Sequence, residues 1–244
     1  MSSGARAFIQ ILPADGMPTP VWDEVWQLTC RFYAAERAYV EARLKAHRNL
    51  ALFRDSATRE LVGMAAIEVS PLDFEGQRLL MIFTSHTVVD ERYRGQNLIQ
   101  RAGFRTWLGT CLRYPLRRKF WVFDSFSYKS YLLLPRNLVE FWPRHDRPTP
   151  TWEAALIDHY GRLKYGSDWR AGGVVARSPR KRLLPQTAPL DAGLVAADPN
   201  LRFYAERNPG HADGDMLFCL CPLSARNWWG IAGKVARRLR RRLS

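Results

Sequence analysis

The residue types that favour chemistry come together in the segment 88–104, VVDERYRGQNLIQRAGF, which reads as a strand, a turn and the start of a helix. The first backbone N–H groups of a helix have no intrahelical acceptor, and the positive end of the helix dipole lies behind them. Arg94 adds charge, Gly95 lets a phosphate approach the main chain, and Asn97 tolerates a left-handed backbone. The pattern predicts an anion site. The alternative is a turn without a ligand, in which Gly95 permits the bend and Asn97 caps the helix.

The elements around this turn are predicted from hydrophobic periodicity and from turn residues. Strands are predicted within 6–16, 49–55, 60–70, 78–90 and 119–126, helices at 21–47 (broken at most once), 97–113 and 151–166, a helical segment up to Pro135, and a closing hairpin in 201–223. Residues 166–200 are rich in Gly, Pro and Ala and are expected to form an irregular insertion. The order predicts one α/β (α+β) domain over 1–224, in which two neighbouring strands are parallel.

This element order, together with the turn, resembles the GNAT superfamily of acyl-CoA-dependent N-acyltransferases. The family pattern in the turn is Arg/Gln-x-x-Gly-x-Gly/Ala. Arg94 meets its first position and Gly95 matches a common additional glycine, whereas Asn97 and Ile99 depart from the two small positions. The resemblance implies a central mixed, splayed sheet flanked by helices, with the donor's pantetheine in the opening and its pyrophosphate on the turn. The donor-binding residues that it implies are Val88, Val89, Arg94, Gly95, Gln96, Asn97, Leu98 and Ile99.

The resemblance also implies direct attack of an amine on the thioester, assisted by a base and an acid. His86 is the base that we predict, because it lies near the end of the strand and its ordinary pKa suits proton transfer near neutrality. The alternative is a half-buried strand histidine that is hydrogen-bonded to a neighbour. The family often uses a tyrosine as the acid, and Tyr131 is our choice over Tyr128 and Tyr160, although each also fits a packing role.

Ile99 leaves the donor open between acyl-CoA and an acyl carrier protein. A branched side chain beside the pyrophosphate is expected to weaken binding of CoA. An acyl carrier protein presents phosphopantetheine without the nucleotide, and its acidic surface would complement a chain of net charge +14. We therefore predict that carrier-protein donors outperform acyl-CoA.

The C-terminal segment is strongly basic. Seven Lys and Arg residues and no acid occur in 226–244, and apolar residues such as Trp228, Ile231 and Val235 recur there at helical spacing. This pattern predicts a basic amphipathic helix over 225–244 that binds an anionic membrane surface. The alternative is a terminal helix that docks on its own domain. Nucleic acid is a less favoured partner, because no recognition motif accompanies the charge.

Composition limits the remaining classes. With 244 residues, 47% of them hydrophobic, the chain can hold one sizeable domain, and its four scattered cysteines indicate neither a disulfide framework nor a metal site. The first 16 residues lack the pattern of a signal peptide, so we expect a cytoplasmic protein that is peripheral at the inner face of the membrane. The predicted function is N-acyl transfer to an amine. The alternative is a non-catalytic GNAT-like protein that holds an anionic partner, which would be a membrane, a nucleic acid or an acidic protein.

Overall fold

The computed structural model of the chain describes residues 6–176, 178, 180–231 and 233. Its strands are β1 (Ala7–Pro13), β2 (Tyr33–Ala35), β3 (Asn49–Asp55), β4 (Leu61–Phe74), β5 (Gln77–Val89), β6 (Arg118–Ser125), β7 (Trp169–Arg170), β8 (Val174–Val175), β9 (Lys181–Leu183) and β10 (Met216–Pro222). Its helices are α1 (Thr19–Cys30), α2 (Arg37–Lys45), α3 (Leu98–Arg113), α4 (Tyr128–Tyr131), α5 (Leu133–Asn137), α6 (Thr151–Tyr165), α7 (Ala192–Ala197) and α8 (Pro199–Arg207). Residues 225–231 are also helical.

Eight strands form one mixed sheet in the order β1-β3-β4-β5-β6-β10-β8-β7. Neighbours are antiparallel except β5 and β6, which are parallel and are connected through α3. The short strands β2 and β9 form a second sheet. The predicted mixed sheet flanked by helices is therefore confirmed.

The sheet opens between β5 and β6. These strands pair from Leu79 opposite Arg118 to Thr84 opposite Phe123, and beyond Thr84 only β4 continues beside β5. Ser85 pairs with Ala66 and Val88 with Met64, so β5 contains one extra residue between these pairs. His86 lies in this bulge with φ +49°, a left-handed backbone that is uncommon for a residue other than glycine. The bulge and the loss of pairing create the opening.

Both faces of the sheet are covered because its central strands carry apolar side chains on both sides. On one face α1, α2 and α6 pack against residues such as Leu52 and Phe83. On the other face α3 packs against residues such as Phe53 and Ile82, and α4, α5 and α8 pack against Phe123. Strands buried on both faces read as near-continuous apolar runs, as they do here.

The structure refines one predicted element and corrects another. The one break allowed in the predicted helix 21–47 contains β2, which pairs with β9 from the region that was expected to be irregular. The predicted hairpin in 201–223 is wrong, because residues 199–207 form α8 and only β10 is a strand. The side chain of Asp198 accepts a hydrogen bond from Asn200 N, and Pro199 occupies the first helical turn, so the local sequence begins a helix there.

The C-terminal segment begins with a firmly held helical turn. Asn227 is buried, and its side-chain amide bonds to the backbone of Val139, Glu140 and Pro222 at 2.7–2.9 Å. Residue 232 and residues 234–244 lie outside the described part of the chain, and so does most of the basic helix predicted over 225–244. Among the residues that the structure describes, no helix has the length and apolar character needed to cross a membrane.

Candidate active site

A cavity of about 640 Å³ fills the opening of the sheet. Its walls come from the end of β5, the turn that leads into α3, the end of β6, α4 and β9. Of the eight residues predicted to bind the donor, seven line it: Val88, Val89, Arg94, Gly95, Asn97, Leu98 and Ile99. The structure therefore brings the predicted turn and the opening of the sheet into one site.

The turn has the backbone that its sequence predicts. Gly95 has φ +92° and Asn97 has φ +53°, and Asn97 precedes the first residue of α3. The first bond of the helix runs from Arg101 N to Asn97 O at 2.8 Å, so the amides of Leu98 to Gln100 have no intrahelical acceptor. The Arg94 guanidinium forms an ion pair with Glu91. The turn therefore presents donors and a positive dipole to the cavity, as an anion site requires.

The remaining residues of the turn hold it against β1. The Gln96 side chain accepts a hydrogen bond from Ala7 N at 3.0 Å, and Gln96 is the one predicted donor-binding residue that does not line the cavity. Ile99 packs against the cluster that contains Ala7 and Ala102 while it also lines the cavity. Part of the Ile99 side chain is thus packed in the core, and the rest contacts the cavity.

His86 ends a chain of polar contacts that starts at a carboxylate on β4. Its Nδ1 lies 3.0 Å from Ser85 Oγ, which lies 3.0 Å from His47 Nε2. His47 Nδ1 lies 3.5 Å from Glu68 Oε2, and Lys164 Nζ donates to the same oxygen at 2.9 Å. His86 Nε2 is buried and has no hydrogen-bond partner in the part of the chain that the structure describes. His86 also lines the cavity.

The polar contacts bear on the protonation of this chain of groups. The close contact with His47 is the main cause that lowers the pKa of Glu68 to about 2, so Glu68 is a carboxylate that only accepts. One assignment of tautomers fits these contacts. With the Nδ1 proton of His47 directed at Glu68, His47 Nε2 accepts from the Ser85 hydroxyl and Ser85 Oγ accepts from His86 Nδ1, which leaves the lone pair of His86 on Nε2. Burial is the main cause that lowers the pKa of His86 well below its usual range, and the positive charges of Lys181 and Arg43 act in the same direction, so the imidazole is neutral.

The three candidate tyrosines occupy different places. Tyr131 is fully buried, its hydroxyl donates to Pro143 O at 3.2 Å, and it does not line the cavity. Burial raises its pKa above the ordinary value. Tyr160 is buried in the core beside Phe218. Only Tyr128, of these three, lines the cavity with His86, and the structure does not bring Tyr131 to it.

Sequence reasoning missed several residues of the site. Lys181 on β9 lines the cavity and is buried, with Nζ 4.0 Å from the centre of the Tyr33 ring. Its neighbours Arg180 and Arg182 are also basic, so the sequence does not show which of the three is enclosed. The pairing of β9 with β2 decides this. Among the described residues, no group of three His, Cys, Asp or Glu side chains is arranged to hold a metal ion.

Comparison with known proteins gives distant structural matches. No protein-family model matches the sequence. No curated protein matches it. A probable N-acyltransferase of unknown function from Enterococcus faecalis is similar over 65% of this chain and 44% of its own, with 16% identity and a TM-score of 0.40. This chain therefore spans less than half of that protein.

Two further structures are similar over all or most of their own length. A GNAT family N-acetyltransferase from Escherichia coli in complex with CoA shares 22% identity over 59% of this chain and 78% of its own, with a TM-score of 0.37. A Trypanosoma brucei acetyltransferase shares 19% identity over 59% of this chain and 100% of its own, with a TM-score of 0.39. The mixed sheet, its opening at a bulge and the turn before α3 are observed in this chain itself. They are the features that the resemblance to the GNAT superfamily implies, and at the level of the fold that resemblance is confirmed.

Proposed function

We propose that this chain is an N-acyltransferase that transfers an acyl group from a thioester donor to an amine. The observation that carries the proposal is one cavity that is lined both by the turn before α3 and by His86, whose Nε2 has no hydrogen-bond partner among the described residues. The amides that begin α3 and the Arg94 side chain would bind the pyrophosphate of the donor. The edge of β5 beyond Thr84, which has no β6 partner there, would hold the pantetheine.

His86 is the proposed base. The amine nitrogen attacks the thioester carbon while His86 Nε2 accepts the amine proton, and the C–S bond then breaks. Ser85 and His47 act as positioning residues, because they hold the imidazole in the tautomer that leaves Nε2 free. Tyr128 would give the proton to the departing thiolate, the role predicted for Tyr131, because Tyr128 lines the cavity.

A binding experiment tests this function at low effort. Stabilisation of the full chain by CoA, acetyl-CoA and a long-chain acyl-CoA is measured by thermal shift, followed by acyl transfer to a panel of amines. We expect at least one thioester to raise Tm and His86→Ala to abolish transfer while binding persists. If no thioester changes Tm, the non-catalytic alternative, a GNAT-like protein that holds an anionic partner, replaces the enzyme.

The donor class remains part of the proposal. Ile99 packs partly against the core, so less of its side chain lies where the pyrophosphate of CoA would bind. We therefore propose acyl-CoA as the donor, with an acyl carrier protein as the alternative. Rates with acyl-CoA and with acyl carrier protein at equal concentration separate the two. Faster transfer from the carrier protein would reverse the assignment.

A second property, binding to an anionic membrane, is favoured by the outer face of α3. Phe104, Leu108 and Leu112 recur every four residues and are 46%, 45% and 78% exposed. Arginines lie beside them on α3 at positions 101, 105 and 113, which are separated by multiples of four residues. Trp228 packs on Trp107 with ring centres 4.2 Å apart, so the C-terminal segment and its charges begin at this face. An apolar row beside a basic row is the pattern of an interfacial helix.

Vesicle sedimentation tests the membrane proposal. The full chain should sediment with phosphatidylglycerol-containing vesicles and not with phosphatidylcholine alone, and Leu112→Glu or truncation after residue 231 should weaken this binding. Truncation at 231 retains the Asn227 anchor. Leu163→Glu is the matched control, because Leu163 on α6 is 69% exposed and lies on another helix. Equal loss in the control would contradict the proposal, and a lower Tm of the truncated chain with unchanged vesicle binding would favour a tail that docks on its own domain.

A further inference from the structure

Lys181 is a buried basic residue that forms no salt bridge to a carboxylate in the described part of the chain. Its side chain lies among the rings of Tyr33 and Phe126, with Nζ 4.0 Å and 5.4 Å from their centres. In the described ranges, no carboxylate lies within salt-bridge distance of it. Lysine is almost never enclosed unless it is paired, so this position points to a role in the cavity that Lys181 lines.

Arg43 adds a second positive charge to the same part of the cavity. It lies on α2, is half-buried, lines the cavity, and has no salt bridge to any acid that the structure describes. The pKa of Lys181 is lowered to about 7, chiefly by burial; the charge of Asp124 opposes this lowering, and the charge of Arg43 adds a smaller lowering. The charges of Lys181 and Arg43 also lower the pKa of His86.

Asp124 is the acid that faces this pair, and it does not neutralise it. Burial raises the pKa of its carboxyl, and the Tyr165 hydroxyl donates to its Oδ2 at 3.1 Å. Asp124 is thus hydrogen-bonded to Tyr165. It also lies beyond salt-bridge distance of Lys181. The two basic groups outnumber this one acid, and an anion that entered would favour the protonated form of Lys181 and interact with Arg43.

We propose that Lys181 and Arg43 form a binding site for the anionic group of the acceptor, a carboxylate or a phosphate carried by the same molecule as the reacting amine. The amine end of such a molecule would lie toward His86, which lines the same cavity. The rings of Tyr33 and Phe126 would contact an apolar part. The identification of this ligand as the acceptor rests on the proposed function, whereas the anion site itself does not.

Matched amines test the class of the ligand. Leucine is compared with leucinamide, which lacks the carboxylate, and phosphoethanolamine is compared with ethanolamine, which lacks the phosphate. Calorimetric titration of the full chain should show that at least one anionic amine binds about tenfold or more tightly than its neutral counterpart. The pair that shows this difference distinguishes a carboxylate from a phosphate. Equal binding within both pairs overturns the proposal.

A pair of lysine variants separates this site from a structural role. Lys181→Met should remove the preference for the anionic amine and should raise the Tm of the free protein, because a buried unpaired charge is lost. Lys119→Met is the control, since Lys119 is equally enclosed but donates to Tyr114 O and Arg117 O at 2.7 and 2.8 Å and lies outside the cavity. It should lower Tm and leave the preference intact.

The outcome is distinguishable from failure of the enzyme proposal. Acetyl-CoA binding to Lys181→Met should equal that of the unmodified chain, because the donor turn is intact. Unchanged anionic preference in Lys181→Met overturns the anion site even where acetyl-CoA binds. Absence of acetyl-CoA binding in every variant removes the enzyme while the amine titrations still decide the anion site.

Discussion

Ser85→Ala is the change that most directly probes the contacts behind His86. The Ser85 hydroxyl lies 3.0 Å from both His47 Nε2 and His86 Nδ1, and its removal leaves two ring nitrogens without that partner. An unsatisfied buried polar atom costs about 1–3 kcal/mol. At the lower end for each nitrogen, the free energy of unfolding falls by about 2 kcal/mol. For a domain of this size we expect Tm to fall by roughly 4–8 °C.

The same substitution should affect catalysis more than binding. Without the hydroxyl, His86 is free to place its proton on Nε2, so the fraction of imidazole that can accept a proton from the amine decreases. We expect kcat to fall by about tenfold or more, with a KM for the donor that is little changed, because the donor turn is not touched.

Thr106→Ala is the control for Ser85→Ala, and the two are compared by thermal unfolding and by initial rates. The Thr106 hydroxyl donates to Ala102 O within α3, at 3.1 Å, and no other side chain depends on it. Its loss should change neither quantity appreciably. If Ser85→Ala unfolds at the same temperature as the unmodified chain and retains its kcat, Ser85 does not hold His86.

Three further changes test the surrounding structure. Asn227→Ala should lower the free energy of unfolding in urea by about 2–4 kcal/mol, because its amide makes four hydrogen bonds to backbone atoms; near-normal stability would contradict this role. Glu68 has its pKa lowered to about 2, so its contribution to stability is complete above its ordinary pKa and is lost as pH falls from about 5 toward 2. The stability difference between the unmodified chain and Glu68→Gln should shrink over that range, and a constant difference would refute it. Gly161→Ala places a Cβ 2.4 Å from the Trp169 indole and should destabilise by about 1–3 kcal/mol, whereas Gly109→Ala, which meets no atom within 4 Å, should not.

The elements that position the turn before α3 could be predicted from sequence because the residue patterns that indicate them are local. Strands β3, β4 and β5 are rich in apolar and β-branched residues, and Pro115 predicts the end of α3 from sequence. Gly95 and Asn97 have the left-handed backbone that their residue types favour. The residue types in the turn were therefore sufficient to predict its backbone conformation.

The part of the site that we propose to be catalytic depends on pairing between distant segments, which hydrophobic periodicity does not report. The bulge at His86 exists because β5 has one more residue than β4 between two fixed pairs. His47, just beyond the end of α2, contacts Ser85 across 38 residues, and Glu68 on β4 contacts His47. Tyr131 and Tyr128 are equivalent in sequence, and only the packing of α4 buries one and leaves the other at the cavity. Lys181 is enclosed by a strand too short to be recognised.

The central proposal, that the turn before α3 binds the donor of an acyl transfer, is tested most directly by calorimetric titration with acetyl-CoA. The titration is made on the unmodified chain, on Gly95→Val and on Gly76→Val. Both glycines have positive φ, +92° and +72°, and a Cβ at either would meet no atom within 4 Å, so the two variants carry similar backbone strain. Gly76 lies in the turn between β4 and β5, away from the cavity. Saturable binding that Gly95→Val weakens and Gly76→Val leaves unchanged is the expected result, and absence of binding, or equal binding by both variants, would contradict the proposal.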